Sequence, residues 1–177
     1  MRKILTLVFV VLLFAACYRA SEPTLLGANK PFWEVHFSPQ GGCEAAIVAF
    51  IDSAKQSVRM LAYSFTSQPI VDALLRAQAK KLDVAIILDR SNQTDQYSKM
   101  PVIIAAKFPA WLDSKHVIAH NKTIVVDKSR VETGSYNYTV TAERGNAENC
   151  LIIANTPLAM EYYNNWGLHQ SHSTPLD

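Results

Sequence analysis

Between His120 and Asn137 the chain reads HNKTIVVDKSRVETGSYN, and this segment limits the fold more than any other. Thr123 to Val126 is wholly β-branched, Asp127, Lys128 and Ser129 break it, and Arg130 to Thr133 returns. Two short strands joined by a tight turn are therefore expected. His120 and Lys122 stand two apart, so on an extended strand both side chains leave the same face. The return runs directly into Gly134 and Ser135. Strand, turn, strand and glycine corner can then set His120, Lys122, Ser135 and Asn137 around one small space. An imidazole, an ammonium, a hydroxyl and an amide suit a tetrahedral oxyanion, above all a phosphoryl group.

The segments before the hairpin alternate between helix and strand. Glu44 to Gln56 repeats Ile47, Phe50, Ile51 and Ala54 at helical spacing, and Ser57 to Phe65 follows as a strand apolar on both faces. Thr66 or Ser67 caps the next helix, Pro69 suits its first turn, and Asp83 to Asp89 is the next strand. That βαβ order predicts an α/β fold with a mixed, mostly parallel sheet flanked by helices. Trp33, Val35 and Phe37 alternate in a first strand, which puts His36 on the opposite, solvent-facing side. Met100 to Phe108 fits a helix or a strand, and Trp111 with Leu112 reads as core or dimer packing. Arg90 begins a polar loop after a strand end, where it either lines a substrate groove or pairs with Asp89 or Asp95. Beyond the hairpin, Glu143 and Arg144 lie in a polar loop, Thr139 to Asn146, within reach of substrate. Asn149 to Ala154 is a last buried strand, and Leu158, Tyr162 and Trp166 stripe a final helix. His169 and His172 read as incidental in a polar tail over 169–177. Cys43 and Cys150 either form a disulfide or sit as buried thiols.

Met1, Arg2 and Lys3 precede a charge-free apolar run from Ile4 to Ala16. That run is too short for a membrane span of roughly 20 residues and fits a signal peptide over 1–20. Cleavage after Ala20 and lipoprotein processing at Cys17 are both open, and each puts the mature chain in the periplasm, outside the cell, or lipid-anchored to a membrane. Residues 21–31, with Pro23, Gly27 and Pro31, read as a tether to a domain over 32–168. Removing Arg2, Lys3 and Arg19 leaves 14 cations against 15 carboxylates. Global steering of a polyanion by net charge is thereby excluded, so any nucleic-acid partner must be held by local cations.

The spacing H-x-K, four residues, Asp, six residues, G-S-x-N fixes six residues over 18 positions. In this the chain resembles the phospholipase D superfamily. From Val35 to Trp166, including AYSFT at Ala62 to Thr66 and NAEN at Asn146 to Asn149, it is similar to that superfamily's small bacterial secreted endonucleases. The resemblance implies a metal-independent, non-specific endonuclease that needs no cofactor and cuts DNA or RNA through a phosphohistidine. Members use two such motifs per site, and this chain has one copy, which implies a homodimer with its active site across the two-fold axis. His120 is then nucleophile in one subunit and acid in the other, Lys122 neutralises phosphoryl oxygens, and Ser135, Asn137 and the Gly134 turn bind them. Glu148 matches the acid that orients the imidazole, and Asp127 is expected as a network partner of the hairpin and Lys122. The alternatives are a lipid phosphodiesterase acting on cardiolipin-like headgroups and a binding protein with a dead site.

Overall fold

The computed structural model describes residues 32–176; the expected signal peptide, Cys17 and the tether lie outside the described residues. Eight strands form one sheet in the order β1-β7-β6-β5-β2-β3-β4-β8. They are β1 (Trp33–Ser38), β2 (Ser57–Ala62), β3 (Asp83–Asp89), β4 (Ala110–Asp113), β5 (Lys122–Val126), β6 (Arg130–Gly134), β7 (Glu148–Ala154) and β8 (Thr174–Pro175). The helices are α1 (Cys43–Asp52), α2 (Gln68–Ala79), α3 (Met100–Ala105), α4 (Val140–Arg144) and α5 (Thr156–His172). The sheet is mixed, as expected, but its parallel part is confined to β2, β3 and β4. Hairpin returns and the two edge strands make every other pairing antiparallel.

The period-2 alternation of the central strands explains the layers. Val58, Met60 and Ala62, with Val84, Ile86 and Leu88, face Ile47 and Ile51 of α1 and Ile70 and Leu74 of α2. The residues between them, Leu61, Ala85 and Ile87, meet Trp166 of α5 on the other face. Burial on both faces is what makes these strands almost continuously apolar. Ser67 caps α2 by accepting the Ile70 amide, and Asn155 caps α5 by accepting the Leu158 amide. Trp166 donates from its indole to Met60 O at 2.9 Å and meets Trp111 edge-on, which places Trp111 in the packing. Within Met100 to Phe108, the helix alternative holds as α3 over Met100–Ala105, with Pro101 in its first turn.

Several expectations are corrected. Trp33, Val35 and Phe37 are exposed, because α5 lies over β6, β5, β2 and β4 and leaves the β1 edge of that face uncovered. His36 is turned to the inner face instead, opposite Cys150, where its Nε2 is shielded and lacks a hydrogen-bond partner. The polar tail is part of the domain: α5 runs through Gly167 because Trp166 and His169 are both buried on either side of it. Beyond α5, β8 pairs with β4 and Leu176 donates to Ala110 O at 2.8 Å. Cys43 and Cys150 take the thiol form, both buried, with Cys150 Sγ 4.0 Å from Cys43 O. Burial pushes both thiols up in pKa.

Two carboxyl groups carry opposite parts of the pH dependence. At the hairpin tip Asp127 and Lys128 both adopt positive φ, 53° and 54°, and Asp127 Oδ1 accepts the amides of Lys55, Gln56 and Ser57 at 3.1, 2.7 and 3.0 Å. Burial raises its pKa, but those amides and Arg130 outweigh it and leave a net lowering. Its stabilisation is thus present above the unfolded carboxyl value of ~3.9 and is lost as pH falls through the lower folded value. Glu132, wholly buried on β6, accepts only the Tyr138 hydroxyl, and burial pushes its carboxyl from 4.5 up to about 8. Here the folded state holds a proton that the unfolded state releases, so stability falls as pH rises between those two values. Asp127→Ala should cost about 1–3 kcal/mol in urea unfolding, since it orphans three amides; an unchanged midpoint would contradict the pinning. Glu132→Gln should flatten the decline in stability from pH 4.5 to about 8, and a persisting decline of the same size would place its origin elsewhere.

Candidate active site

The catalytic-type residues gather at one edge of the sheet because of strand direction. Ala62 faces Lys122 across the antiparallel β2–β5 pair, so Tyr63, one step further, stands beside His120 with ring centroids 4.6 Å apart. His120 is exposed, whereas Lys122 is buried to 6% exposure. The Lys122 ammonium donates to His120 O at 2.8 Å and lies 5.0 Å from the centre of the Tyr63 ring. Burial pushes the Lys122 pKa down while the negative charge of Glu148 pulls it up. The result is a fixed point charge beside a free imidazole.

Across from them lies the G-S-x-N corner. A Cβ on Gly134 would overlap the carbonyl oxygen of Asn149, and that carbonyl accepts the amides of both Ser135 and Tyr136. Glycine is therefore required by a close approach of β6 to β7. The same approach lets Ser135 Oγ donate to Glu148 Oε2 at 2.6 Å and accept the Asn149 amide at 3.1 Å. Asn146 holds the other Glu148 oxygen at 2.9 Å. In this state the single hydroxyl hydrogen of Ser135 belongs to Glu148 instead of facing the cavity as a free donor. The side-chain oxygen of Asn137 is buried without a hydrogen bond. His120, Lys122, Gly134, Ser135, Asn137 and Glu148 line one open cavity of about 410 Å³.

Two expected site residues stand elsewhere. Asp127 is at the far end of β5, five residues and roughly 17 Å along the strand from Lys122, and its carboxylate is taken by the α1–β2 link and Arg130. Among the described residues its side chain forms no ion pair with a lysine; its work is to hold the hairpin. Arg90 is exposed, donates to Val117 O at 3.3 Å, and lines a neighbouring cavity of about 410 Å³ with Tyr63 and Ile118. Neither the Asp89 nor the Asp95 pairing forms. Glu143 points inward, accepting the Glu44 amide and the Tyr136 hydroxyl, so it is closed to substrate.

Sequence reasoning missed Tyr63 and Asp89. Tyr63 ends the strand carrying the AYSFT segment, which was the available signal. Asp89 accepts the Ser91 amide through Oδ1 and the Ala119 amide at 2.7 Å through Oδ2, fixing the residue before His120. No local pattern announces a bond across 30 residues. His169 and His172, read as incidental, converge with His116 on buried Asp113. Continuation of α5 past Gly167 puts both on one helix end, which a tail would not.

An open cavity at one edge of a mixed sheet, with a buried lysine and an exposed histidine, gives this α/β domain a site whose chemistry suits an oxyanion. Residues 47–166 match the domain family described as "Cardiolipin synthase, PLD-like domain". A phospholipase D of Rickettsia prowazekii is 42% identical over 130 residues, 73% of this chain, and the match spans 63% of that protein's length. A mitochondrial cardiolipin hydrolase of Xenopus laevis is 30% identical over 109 residues, 62% of this chain and 52% of that protein. The crystal structure of a phospholipase D family member, Nuc from Salmonella typhimurium, superposes with a TM-score of 0.79 at 37% identity, covering 83% of this chain and 99% of that one. The chain belongs to the phospholipase D-like family.

The cavity should bind a tetrahedral anion such as inorganic phosphate or tungstate. Lys122→Met should weaken that binding by about 1.5–3 kcal/mol, the range for a charged hydrogen bond, when measured by calorimetry. Equal affinity in the variant would remove Lys122 from the anion site.

Proposed function

We propose that this chain is a metal-independent endonuclease that hydrolyses DNA, and RNA where accessible, at a site completed by a second copy of itself. The reading is carried by the shape of the groove around the catalytic pocket. At Asn137 the pocket continues into a cavity of about 650 Å³ lined by Ser64, Thr66, Thr139, Thr141 and Lys99, with Asp95 and Tyr97 beside them. Beside Tyr63 lies the Arg90 cavity. An open trough of mixed polarity, with Lys99 on one side of the reacting centre and Arg90 on the other, suits successive phosphates of an extended strand, and contacts of that kind carry no base sequence. Residues 1–20 fit export, so the substrate would be met outside the cytoplasm.

In the reaction, His120 attacks phosphorus and forms a phosphohistidine while the partner's His120 protonates the departing oxygen. Water then attacks the phosphohistidine, the second imidazole takes its proton, and the first imidazole is released. Lys122 and Asn137 stabilise the phosphoryl oxygens, each being worth about 2.7–4 kcal/mol if it acts as an oxyanion-hole donor does. Glu148 is the carboxylate available to orient an imidazole and hold its charge. The cavity has no second carboxylate among its lining residues, whereas a two-metal mechanism needs several converging ones. The second copy has a surface to bind: Trp33, Val35 and Phe37 are 47%, 39% and 59% exposed. In register, Phe37 faces Asn149 and Ser38 faces Glu148, so the Phe37 end of this stripe lies at the same strand ends as Glu148.

One observation favours a second reading, hydrolysis of a phospholipid headgroup. Val117 and Ile118, 84% and 51% exposed, form an apolar rim on the Arg90 cavity. Nucleic acid and phospholipid vesicles assayed side by side in EDTA separate the two readings. DNA cutting that falls at least ~10⁴-fold in His120→Ala is expected. Lipid turnover without DNA cutting would overturn the nuclease reading and keep the phosphohistidine. For the shared site, Phe37→Asp should lower the light-scattering mass from dimer to monomer and lower activity with it. A fully active monomer would defeat that arrangement.

A further inference from the structure

Asp113, His116, His169 and His172 bring one ligand atom each within 4.8 Å of one another, away from the pocket. Asp113 ends β4 and is fully buried. Its Oδ1 accepts the Lys115 amide at 3.1 Å and lies 3.3 Å from His116 Nδ1, while Oδ2 faces all three rings. To Oδ2, His169 Nδ1 lies at 2.7 Å, His116 Nδ1 at 3.1 Å and His172 Nε2 at 3.3 Å. The ring centroids are only 5.0 to 5.4 Å apart.

Ordinary hydrogen bonding explains this poorly. The carboxylate's roughly four lone-pair sites are crowded by the Lys115 amide and three ring nitrogens, all three rings on Oδ2 and His116 shared between both oxygens. If all three rings were charged they would repel one another at close range in a shielded place, and if neutral they would gain little from crowding it. A divalent ion at the centre removes the conflict, because neutral imidazoles and an anionic carboxylate are all donors to it. Four protein ligands around a tetrahedral ion at ~2.0–2.1 Å would lie roughly 3.3 Å apart, close to two of the three separations present. Nitrogen-rich, four-ligand geometry with no open position selects zinc acting structurally over a catalytic or oxygen-preferring metal.

The geometry points to a structural Zn²⁺ site formed by Asp113, His116, His169 and His172. The ion would tie three parts together: the end of β4, the last turn of α5 that leads into β8, and the loop from Ser114 to Ala119. That loop runs directly into His120. Asp113 is three strands from β5 along the same sheet edge, roughly 14 Å at ordinary strand spacing. The ion would therefore hold the histidine's approach in place and take no part in phosphoryl transfer.

Titration of the chelator-stripped full chain with Co²⁺, followed by Zn²⁺, tests this. One equivalent of Co²⁺ should give the visible absorption of a tetrahedral site, Zn²⁺ should displace it, and Zn²⁺ should raise the melting temperature. Replacement of buried Asp113 endangers the fold, so the variants are His116→Gln and His172→Gln, whose side chains are 44% and 20% exposed. Each should weaken Zn²⁺ binding by more than the ~10–100-fold that loss of an outer-shell partner costs. His120→Ala should bind the ion as the unaltered chain does. A weak octahedral Co²⁺ spectrum, or Zn²⁺ binding unchanged in His172→Gln, would overturn the site and leave a carboxylate–imidazole cluster.

Discussion

The antiparallel register of β2 and β5 is the constraint on which the rest depends. It lays Ala62 against Lys122, and each further antiparallel step preserves the same edge: Thr123 against Thr133, Gly134 against Cys150, Ser38 against Glu148. The carboxyl end of one strand thus always meets the amino end of the next. The edge where the parallel run of β2, β3 and β4 gives way to antiparallel hairpins collects Tyr63, Arg90, His120, Lys122, the G-S-x-N corner and Glu148. A one-residue slip of β5 would turn Lys122 to the opposite face of the sheet.

The hairpin is held at both ends by unlike means. At the tip, one carboxylate satisfies three otherwise unpaired amides, and the motif aspartate works there as a structural acceptor. At the site end, a missing side chain on Gly134 lets two backbones close enough for one carbonyl to take two amides. Between them runs a strand buried along its whole length, with a wholly buried carboxyl on its neighbour at Glu132. Rigidity of this kind suits a site that must hold donors where charge will develop.

The domain leaves two margins of its sheet uncovered. Helix α5 covers the middle of one sheet face and stops short of β1. The apolar stripe of the lateral strand β1 is therefore exposed, and an exposed histidine stands at the strand-end edge beside β5. The histidine cluster lies toward the other end of that edge, where α5 finishes and the chain turns back as β8.

Local pattern determined much of this. The β-branched run and its turn specified the hairpin, two-residue spacing set His120 and Lys122 on one face, and periodicity placed α1, α2 and the two-sided central strands. Five of the six motif residues located the pocket because their spacing is itself a statement about backbone geometry. Tertiary structure alone decided what depends on strand order and on contacts distant in sequence. It sent Asp127 away from Lys122, turned His36 to the inner face and uncovered Trp33, put Tyr63 and Asp89 behind His120, and folded the tail into α5 and β8. It also brought Asp113 and His116 to His169 and His172, across more than fifty residues. The physical reason is that sequence spacing fixes direction along a strand or helix, whereas the register between elements fixes who meets whom.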